Sequence, residues 1–321
     1  MQIAVAISAI LFVYLSGRND GGPLLSFPLQ FQRSQVWVPL FILYLSVPAV
    51  VLLGINRVAL DLEKLAAPAT HAAGSGAPTL VLLLAVLVTL AFSAFLNAPT
   101  SITLALIGSL AGTALGTGGD VPWRPLVRVV SLGVAAPLVS MGLAFLIRKV
   151  QQNLPLRRFN ASRRVGLLRA GYFFLLSAYA TNDGQKIIFA TALALGVGVD
   201  DATRRIWWVL LAALIFTLGA LHGADRSGKF IRHGIARSSA GALTTAEFAA
   251  GISVFAGSFL GAPLSATQSI SGGLAGTAFA ISSRNVYWNG LRRVAATWVW
   301  TLPLATLVAY LLSLLSVAIL G

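Results

Sequence analysis

The chain has 321 residues, of which 57% are hydrophobic and only 10% are charged, and its mean hydropathy is +0.84. Soluble domains carry charge on about a quarter of their residues, so this composition excludes an ordinary soluble fold and predicts that the lipid bilayer is the solvent. The net charge of +14 lies in short connections between apolar runs, which excludes nucleic acid as a partner. Cysteine is absent, which excludes disulfides and thiolate metal sites.

Long apolar stretches follow one another along the chain and predict an all-α polytopic membrane protein. Gly, Pro, Asn or Asp interrupts four of them, near residues 17–23, 97–100, 181–184 and 261–264. An Ala/Gly/Pro-rich segment at 66–78 predicts a flexible external loop. The stretches cover residues 2–31, 36–55, 80–117 and 124–148, and then 165–198, 205–222, 242–281 and 290–320.

The second set of stretches repeats the first. Asn19-Asp20-Gly21 returns as Asn182-Asp183-Gly184, an offset of 182 − 19 = 163 residues. The segments 99–114 and 263–278 agree at nine of sixteen positions without a gap. An odd number of spans in each repeat places the halves in opposite orientations, as in many secondary transporters. We therefore predict two inverted-topology repeats, at residues 1–155 and 156–321, each with a broken helix and a re-entrant helical hairpin.

The distribution of basic residues predicts the orientation in a cell (inner) membrane. With alternating spans, fifteen Lys and Arg side chains fall on one side and six on the other, so the first side is cytoplasmic and both termini lie outside. The six are Arg57, Lys64, Arg124, Arg128, Arg204 and Arg205.

Arg18 and Lys186 are the only basic residues outside that count, and each lies beside one of the Asn-Asp pairs. Charges at membrane depth are costly unless they are paired or hydrated, so they indicate a transport site, with a purely structural ion-pair clamp as the alternative. Asn, Asp and Gly favour non-helical backbone, which predicts a helix break at each pair. Freed carbonyls and the carboxylates of Asp20 and Asp183 are suited to a hard cation such as Na⁺.

The hairpins contribute hydroxyl groups. Pro99 and Pro263 are each predicted to open a second arm, because proline suits the first turn of a helix. Such helix N-termini bind phosphate and sulfate, although ordinary capping is the alternative for any single hydroxyl. Glu247 fits a capping box at the start of the preceding arm. The residues predicted for substrate and ions are Arg18, Asn19, Asp20, Ser101, Thr103, Asn182, Asp183, Gln185, Lys186, Ser265, Thr267 and Gln268.

The chain resembles the inorganic phosphate transporter (PiT) family of the phosphate/sulfate permease superfamily over nearly its whole length. Thr181-Asn-Asp-Gly-Gln-Lys186 is similar to the family's Asn-Asp signature, and Gly261-Ala-Pro-Leu-Ser-Ala-Thr267 to its hairpin motif. The resemblance implies cation-coupled phosphate uptake, with the Asn-Asp pairs and hairpin hydroxyls around one site, often in a homodimer. Sulfate or another oxyanion is the competing substrate.

We expect a secondary transporter that works by alternating access with Na⁺ or H⁺ as the coupling ion and with no other cofactor. The guanidinium of Arg18 is predicted to take the place of a bound Na⁺. Signatures of metalloproteases, serine hydrolases and ATP-driven pumps are absent, so no enzymatic activity is expected. A passive channel and a non-transporting membrane receptor or scaffold are the competing classes of function.

Overall fold

A computed structural model describes residues 1–25, 37–71, 76–95, 100–153, 161–224, 234–237 and 239–320. These residues are almost entirely helical, and among them the helices pack directly on one another without a sheet. The helices are α1 Gln2–Ser16, α2 Trp37–Leu52, α3 Arg57–His71, α4 Ala77–Phe95, α5 Ile102–Gly116, α6 Trp123–Asn153, α7 Ala161–Leu195, α8 Val199–Arg204, α9 Ile206–Gly223, α10 Ala240–Phe259, α11 Ala266–Ile281 and α12 Trp288–Leu320.

The described helices confirm an all-α polytopic membrane protein. Five are long and apolar enough to cross a bilayer when α1 is counted with its helical extension to Leu25, or six when α2 and α3 count as one span bent by 74°. The helices α4 and α5 form one hairpin and α10 and α11 form another, so the interruptions predicted near 97–100 and 261–264 are real helix ends. Many large apolar side chains on α1, α6 and α12 remain exposed, as expected where a helix faces lipid.

The helix breaks predicted at the Asn-Asp-Gly motifs were wrong. The helix α7 continues through residues 181–184 without interruption, and the chain at Gly17–Gly21 forms a π-helical turn that extends the helix of α1. The amides that were expected to bond the local backbone are used elsewhere, because Asn19 and Asn182 bond to the hairpins. The extra residue of a π-helical turn often marks a functional site.

The external loop predicted for residues 66–78 was also partly wrong. The helix α3 extends to His71, and residues 72–75 lie outside the described part of the chain. Val58, Leu62 and Leu65 are buried on one face of α3, whereas Lys64 lies on the exposed face. The loop prediction failed because Ala, Gly and Pro are common in loops, so the composition of residues 66–78 did not indicate that α3 continues to His71.

Glycines allow each hairpin to pack closely against a helix from the other half of the chain. A Cβ atom on Gly112 of α5 would lie 2.1 Å from the carbonyl oxygen of Thr306 in α12. A Cβ atom on Gly276 of α11 would lie 2.1 Å from the carbonyl oxygen of Met141 in α6. This is the small-residue packing that membrane helices use when they approach closely. The two contacts are reciprocal, since α5 packs on α12 and α11 packs on α6.

Candidate functional site

The two hairpin tips meet near the centre of the described structure. The hydroxyl of Thr103, in the first turn of α5, donates a hydrogen bond of 3.1 Å to the carbonyl oxygen of Leu264, just before α11. Ser101 and Ser265 are the N-caps of α5 and α11, and their hydroxyls accept from the backbone N–H groups of Leu104 and Gln268. The positive ends of two helix dipoles therefore lie at this centre.

The helix starts differ slightly from the prediction. Pro263 lies ahead of the N-cap Ser265 and not in the first turn of α11, while Pro99 lies outside the described residues. Ordinary capping holds for both serines, because each accepts a bond from the backbone three residues later. The threonines Thr103 and Thr267 do not cap a helix in this way and make contacts across the centre.

Each asparagine of the repeated motif fastens a hairpin tip. Asn19 Nδ2 donates to the carbonyl oxygen of Thr100 at 2.8 Å, and its Oδ1 accepts from the N–H of the same residue at 3.4 Å. Asn182 Nδ2 donates to the carbonyl oxygen of Ala262 at 3.0 Å, and its Oδ1 accepts from the N–H of Leu264 at 2.9 Å. In both halves the asparagine thus donates to a backbone carbonyl and accepts from a backbone N–H at a hairpin tip, from one residue in the first half and from two in the second, and the asparagines position the tips.

The charged side chains cross from one half of the chain to the hairpin of the other. Asp20 Oδ1 accepts from the hydroxyl of Thr267 at 3.4 Å and from Asn19 Nδ2 at 2.7 Å. Lys186 Nζ donates to Thr103 Oγ1 at 2.7 Å, to the carbonyl oxygen of Leu264 at 2.5 Å and to Asp183 Oδ1. These bonds join the π-helical turn after α1, the helix α7 and both hairpins in one polar cluster.

This central cluster, defined here as Asp20, Asp183, Lys186, Thr103 and Thr267, is almost fully enclosed, with each residue at most 4% exposed. Oδ2 of each aspartate is buried without a hydrogen-bond partner among the described residues. The two carboxylates and one ammonium carry a formal charge of −1. Buried carboxylate oxygens without partners are costly, so they mark positions suited to a cation or a proton.

Among the described residues, the side chains of Gln185 and Gln268 take no part in the hydrogen bonds of the central cluster. Gln185 is buried on α7, where its Oε1 accepts from the N–H groups of Val58 and Ala59 and so caps α3. Gln268 is buried in the first turn of α11. Arg18 is half-buried in the π-helical turn, and its backbone lies against glycines of α9. The ammonium of Lys186 lies against the carboxylate of Asp183.

The structure adds residues that the sequence patterns did not indicate. Thr100 and Thr301 share a buried hydroxyl contact of 2.5 Å, which ties the first hairpin tip to α12. Ser258 accepts from Asn182 Nδ2 at 3.0 Å. Tyr179 is 1% exposed, and its hydroxyl has no partner in the described part of the chain. Tyr179 precedes Asp183 by four residues, so helical spacing could have placed it on the same face of α7.

The capping box predicted for Glu247 was wrong. The helix α10 begins at Ala240 with Ser239 as its cap, so Glu247 lies well inside the helix. Its side chain is 1% exposed, and neither carboxylate oxygen has a hydrogen-bond partner among the residues that the structure describes. Within the same residues, no group of three His, Cys, Asp or Glu side chains comes together as a metal site.

We call the pair of bonds from each asparagine to its hairpin tip a latch. The latch of Asn182 at the second hairpin gives a testable prediction. In the Asn182→Asp variant the acceptor for Leu264 N–H remains, but the donors to Ala262 and Ser258 are lost, about 1 kcal/mol for each bond. We expect faster amide hydrogen exchange at residues 260–266 and a clear loss of function. Asn289→Asp, at an exposed position, is the matched control. Unchanged exchange in Asn182→Asp would contradict the latch.

The fold and the site together define a class of protein. Enclosed charges between apolar helices and paired hairpins are the features of a polytopic membrane protein with a buried polar site. A model of the phosphate transporter family matches residues 43–179 and 167–309. The chain belongs to the phosphate transporter family.

Individual relatives agree with this assignment. A protein of Rhizobium meliloti named "Probable low-affinity inorganic phosphate transporter" is 27% identical over 66% of this chain and 66% of its own length. Proteins of the same name from Mycobacterium leprae and Bacillus subtilis are 25% and 24% identical, over 53% and 72% of their lengths. The chain thus matches about half to three quarters of these relatives. A solved structure called "The sodium-dependent phosphate transporter" has the same fold, with a TM-score of 0.69 and 16% identity over 99% of both chains.

Proposed function

We propose that this protein is a secondary active transporter that takes up inorganic phosphate together with a coupling cation, Na⁺ or H⁺, by alternating access. The central cluster carries the proposal: two enclosed aspartates, each with an unpartnered oxygen among the described residues, lie beside an ammonium and the starts of two helices. The names of the relatives support phosphate as the substrate. These relatives are named as transporters, so we propose no enzymatic activity.

The cluster combines groups for an anion with groups for a cation. Helix N-termini and threonine hydroxyls are donors that suit phosphate oxygens, and the Lys186 ammonium adds a positive charge nearby. Asp20 and Asp183 repel an anion unless a cation or proton neutralises them, so binding of phosphate and binding of the coupling ion favour each other. Moving an anion inward against an inside-negative potential costs about 2.3 kcal/mol per charge per 100 mV, which the coupling ion offsets.

The duplicated arrangement supports two inverted repeats, residues 1–155 and 156–321, as the moving parts. Asn19 and Asn182 make equivalent latches, and each hairpin packs against the long helix of the other half. In inverted-repeat transporters one unit rocks against the other around a site between them. The same proposal places both termini outside an inner membrane and includes a homodimer.

A basic cavity offers a route to the second hairpin tip. The cavity measures about 400 Å³, and its wall includes Lys64, Arg124 and Arg128 with Asp61 as the single acid. Gly261 and Ala262 also line it, and the carbonyl oxygen of Ala262 accepts from Asn182, the residue before Asp183. We name this cavity the basic vestibule. Its positive charge would raise the local concentration of an entering oxyanion.

Removal of one vestibule charge tests this route. For Arg124→Gln we expect KM for phosphate to rise about 3- to 10-fold with little change in kcat, because steering acts on the encounter and weakens as salt rises. Arg205→Gln removes an exposed charge outside the vestibule and is the control. An equal change in both variants, or a salt-independent one, would contradict a vestibule role.

Counterflow tests the carrier mechanism. Proteoliposomes loaded with unlabelled phosphate and diluted into labelled phosphate should accumulate label transiently above equilibrium, because a carrier exchanges substrate at one alternating site. Imposed Na⁺ and pH gradients, set independently, then identify the coupling ion. Equilibration of label without an overshoot would contradict alternating access, and binding without flux would indicate a receptor.

A further inference from the structure

The ammonium of Lys186 lies in a complete set of oxygen ligands. Its three acceptors are a carboxylate oxygen of Asp183, the hydroxyl of Thr103 at 2.7 Å and the carbonyl oxygen of Leu264 at 2.5 Å. They come from α7, α5 and the tip before α11. A lysine ammonium has three donors, so each N–H of Lys186 has an acceptor. The side chain is 3% exposed, so these ligands enclose the charge.

These acceptors are of the kinds that hard metal cations prefer. Carboxylate, hydroxyl and main-chain carbonyl oxygens are ligands for such ions, and here they converge on one point from three elements of the chain. An ammonium at that point excludes a second cation by repulsion and by occupying the same oxygens. Lys186 therefore has the position of a bound ion while remaining covalently attached.

The position equivalent to Lys186 in the first half of the chain carries no amine. At the offset of 163 residues the counterpart of Lys186 is residue 186 − 163 = 23, which is Pro23 and carries no amine. The counterpart of Asp183 is Asp20, whose Oδ1 accepts from Asn19 and Thr267 and whose buried Oδ2 has no partner among the described residues. Equivalent aspartates thus have different partners in the two halves: Asp183 bonds to an ammonium, whereas Asp20 bonds to an amide and a hydroxyl.

We propose that the Lys186 ammonium is a built-in cation that permanently fills one alkali-ion position of the carrier, formed by Asp183, Thr103 and Leu264. The exchangeable coupling ion then binds on the Asp20 side alone, so the carrier needs one cation fewer per transport cycle than a carrier with both positions open. The inference rests on the proposed function.

Truncation of the side chain opens the position. In the Lys186→Ala variant three oxygens remain without the ammonium, and Na⁺ can take its place. We expect stimulation of phosphate uptake by Na⁺, measured against choline at constant ionic strength and pH, to be about tenfold larger than in the wild type. Lys186→Arg keeps the charge and should respond to Na⁺ as the wild type does. Lys149→Ala, which removes an exposed lysine, is a further control.

A second measurement tests the cation position even if the Lys186→Ala variant no longer transports phosphate. Thermal unfolding of purified protein should show that Na⁺, but not choline, raises the melting temperature of Lys186→Ala by several degrees more than that of the wild type, since a bound ion stabilises the folded state. Equal Na⁺ shifts in the two proteins, or equal Na⁺ stimulation of uptake, would overturn the built-in cation. A larger Na⁺ shift in Lys186→Ala without phosphate uptake by the wild type would keep the cation position and reject the proposed function.

Discussion

Replacement of Asp183 by asparagine is expected to reduce phosphate uptake to the background of empty liposomes, a loss of at least about 100-fold. Asp183 follows the latch residue Asn182 in the chain, and its carboxylate accepts a hydrogen bond from the ammonium of Lys186. The residue is 4% exposed. Without the carboxylate, Lys186 becomes a buried cation with fewer charge-assisted bonds, which in other proteins costs about 3–5 kcal/mol. The substitution also changes the formal charge of the central cluster from −1 to 0.

The experiment must separate lost transport from lost folding. The amount of Asp183→Asn in the membrane and its elution as a single species from a sizing column report folding, while labelled phosphate in proteoliposomes reports transport. Asp201→Asn removes an exposed carboxylate and should transport as the wild type does. Wild-type uptake by a folded Asp183→Asn would remove the central cluster as the transport site.

The second large effect concerns the glycines that bring the two halves together. In Gly112→Ala the new methyl group would lie 2.1 Å from the Thr306 carbonyl oxygen, and in Gly276→Ala it would lie 2.1 Å from that of Met141. The helices would have to separate by about 1 Å, and overpacking of this kind costs about 1–3 kcal/mol at each site. We expect a lower melting temperature for each variant and little folded protein for the pair.

Two glycines of α6 provide controls, because their replacement by alanine should not lower the melting temperature. Nothing lies within 4 Å of a Cβ atom on Gly133 or Gly142. Alanine favours a helix over glycine by about 1 kcal/mol, so Gly133→Ala and Gly142→Ala should be neutral or more stable in the same assay. Equal melting temperatures for all four variants would contradict the reciprocal packing of hairpins on α12 and α6.

The general plan could be predicted from the sequence because membrane helices are recognisable by their composition. Long apolar runs and the duplicated segments 99–114 and 263–278 located the hairpins, and the Asn-Asp pairs located the polar centre. The helix α3 was missed, since its buried positions Val58, Leu62 and Leu65 stand beside charged residues and before an Ala/Gly/Pro-rich segment. Local composition alone did not distinguish that helix from a loop.

The roles within the centre were harder to predict, because they depend on contacts between residues far apart in the chain. Asn19 and Asn182 were expected to break their helices but fasten hairpin tips about 80 positions away. Gln185 was expected at the substrate but caps α3, and Lys186, which was expected beside Asp183, also bonds to both hairpins. Such bonds join distant parts of the chain, and no local pattern specifies them.

The most direct test of the central claim is uptake of labelled phosphate by the purified protein in proteoliposomes, with a coupling gradient imposed and with unlabelled sulfate or phosphate as competitor. Phosphate should accumulate above its equilibrium level, unlabelled phosphate should compete fully, and sulfate should compete weakly. Sulfate accumulation with no phosphate uptake would show an oxyanion permease of different specificity. The absence of any gradient-driven accumulation of either anion, by protein that is folded and inserted, would contradict a role in oxyanion transport.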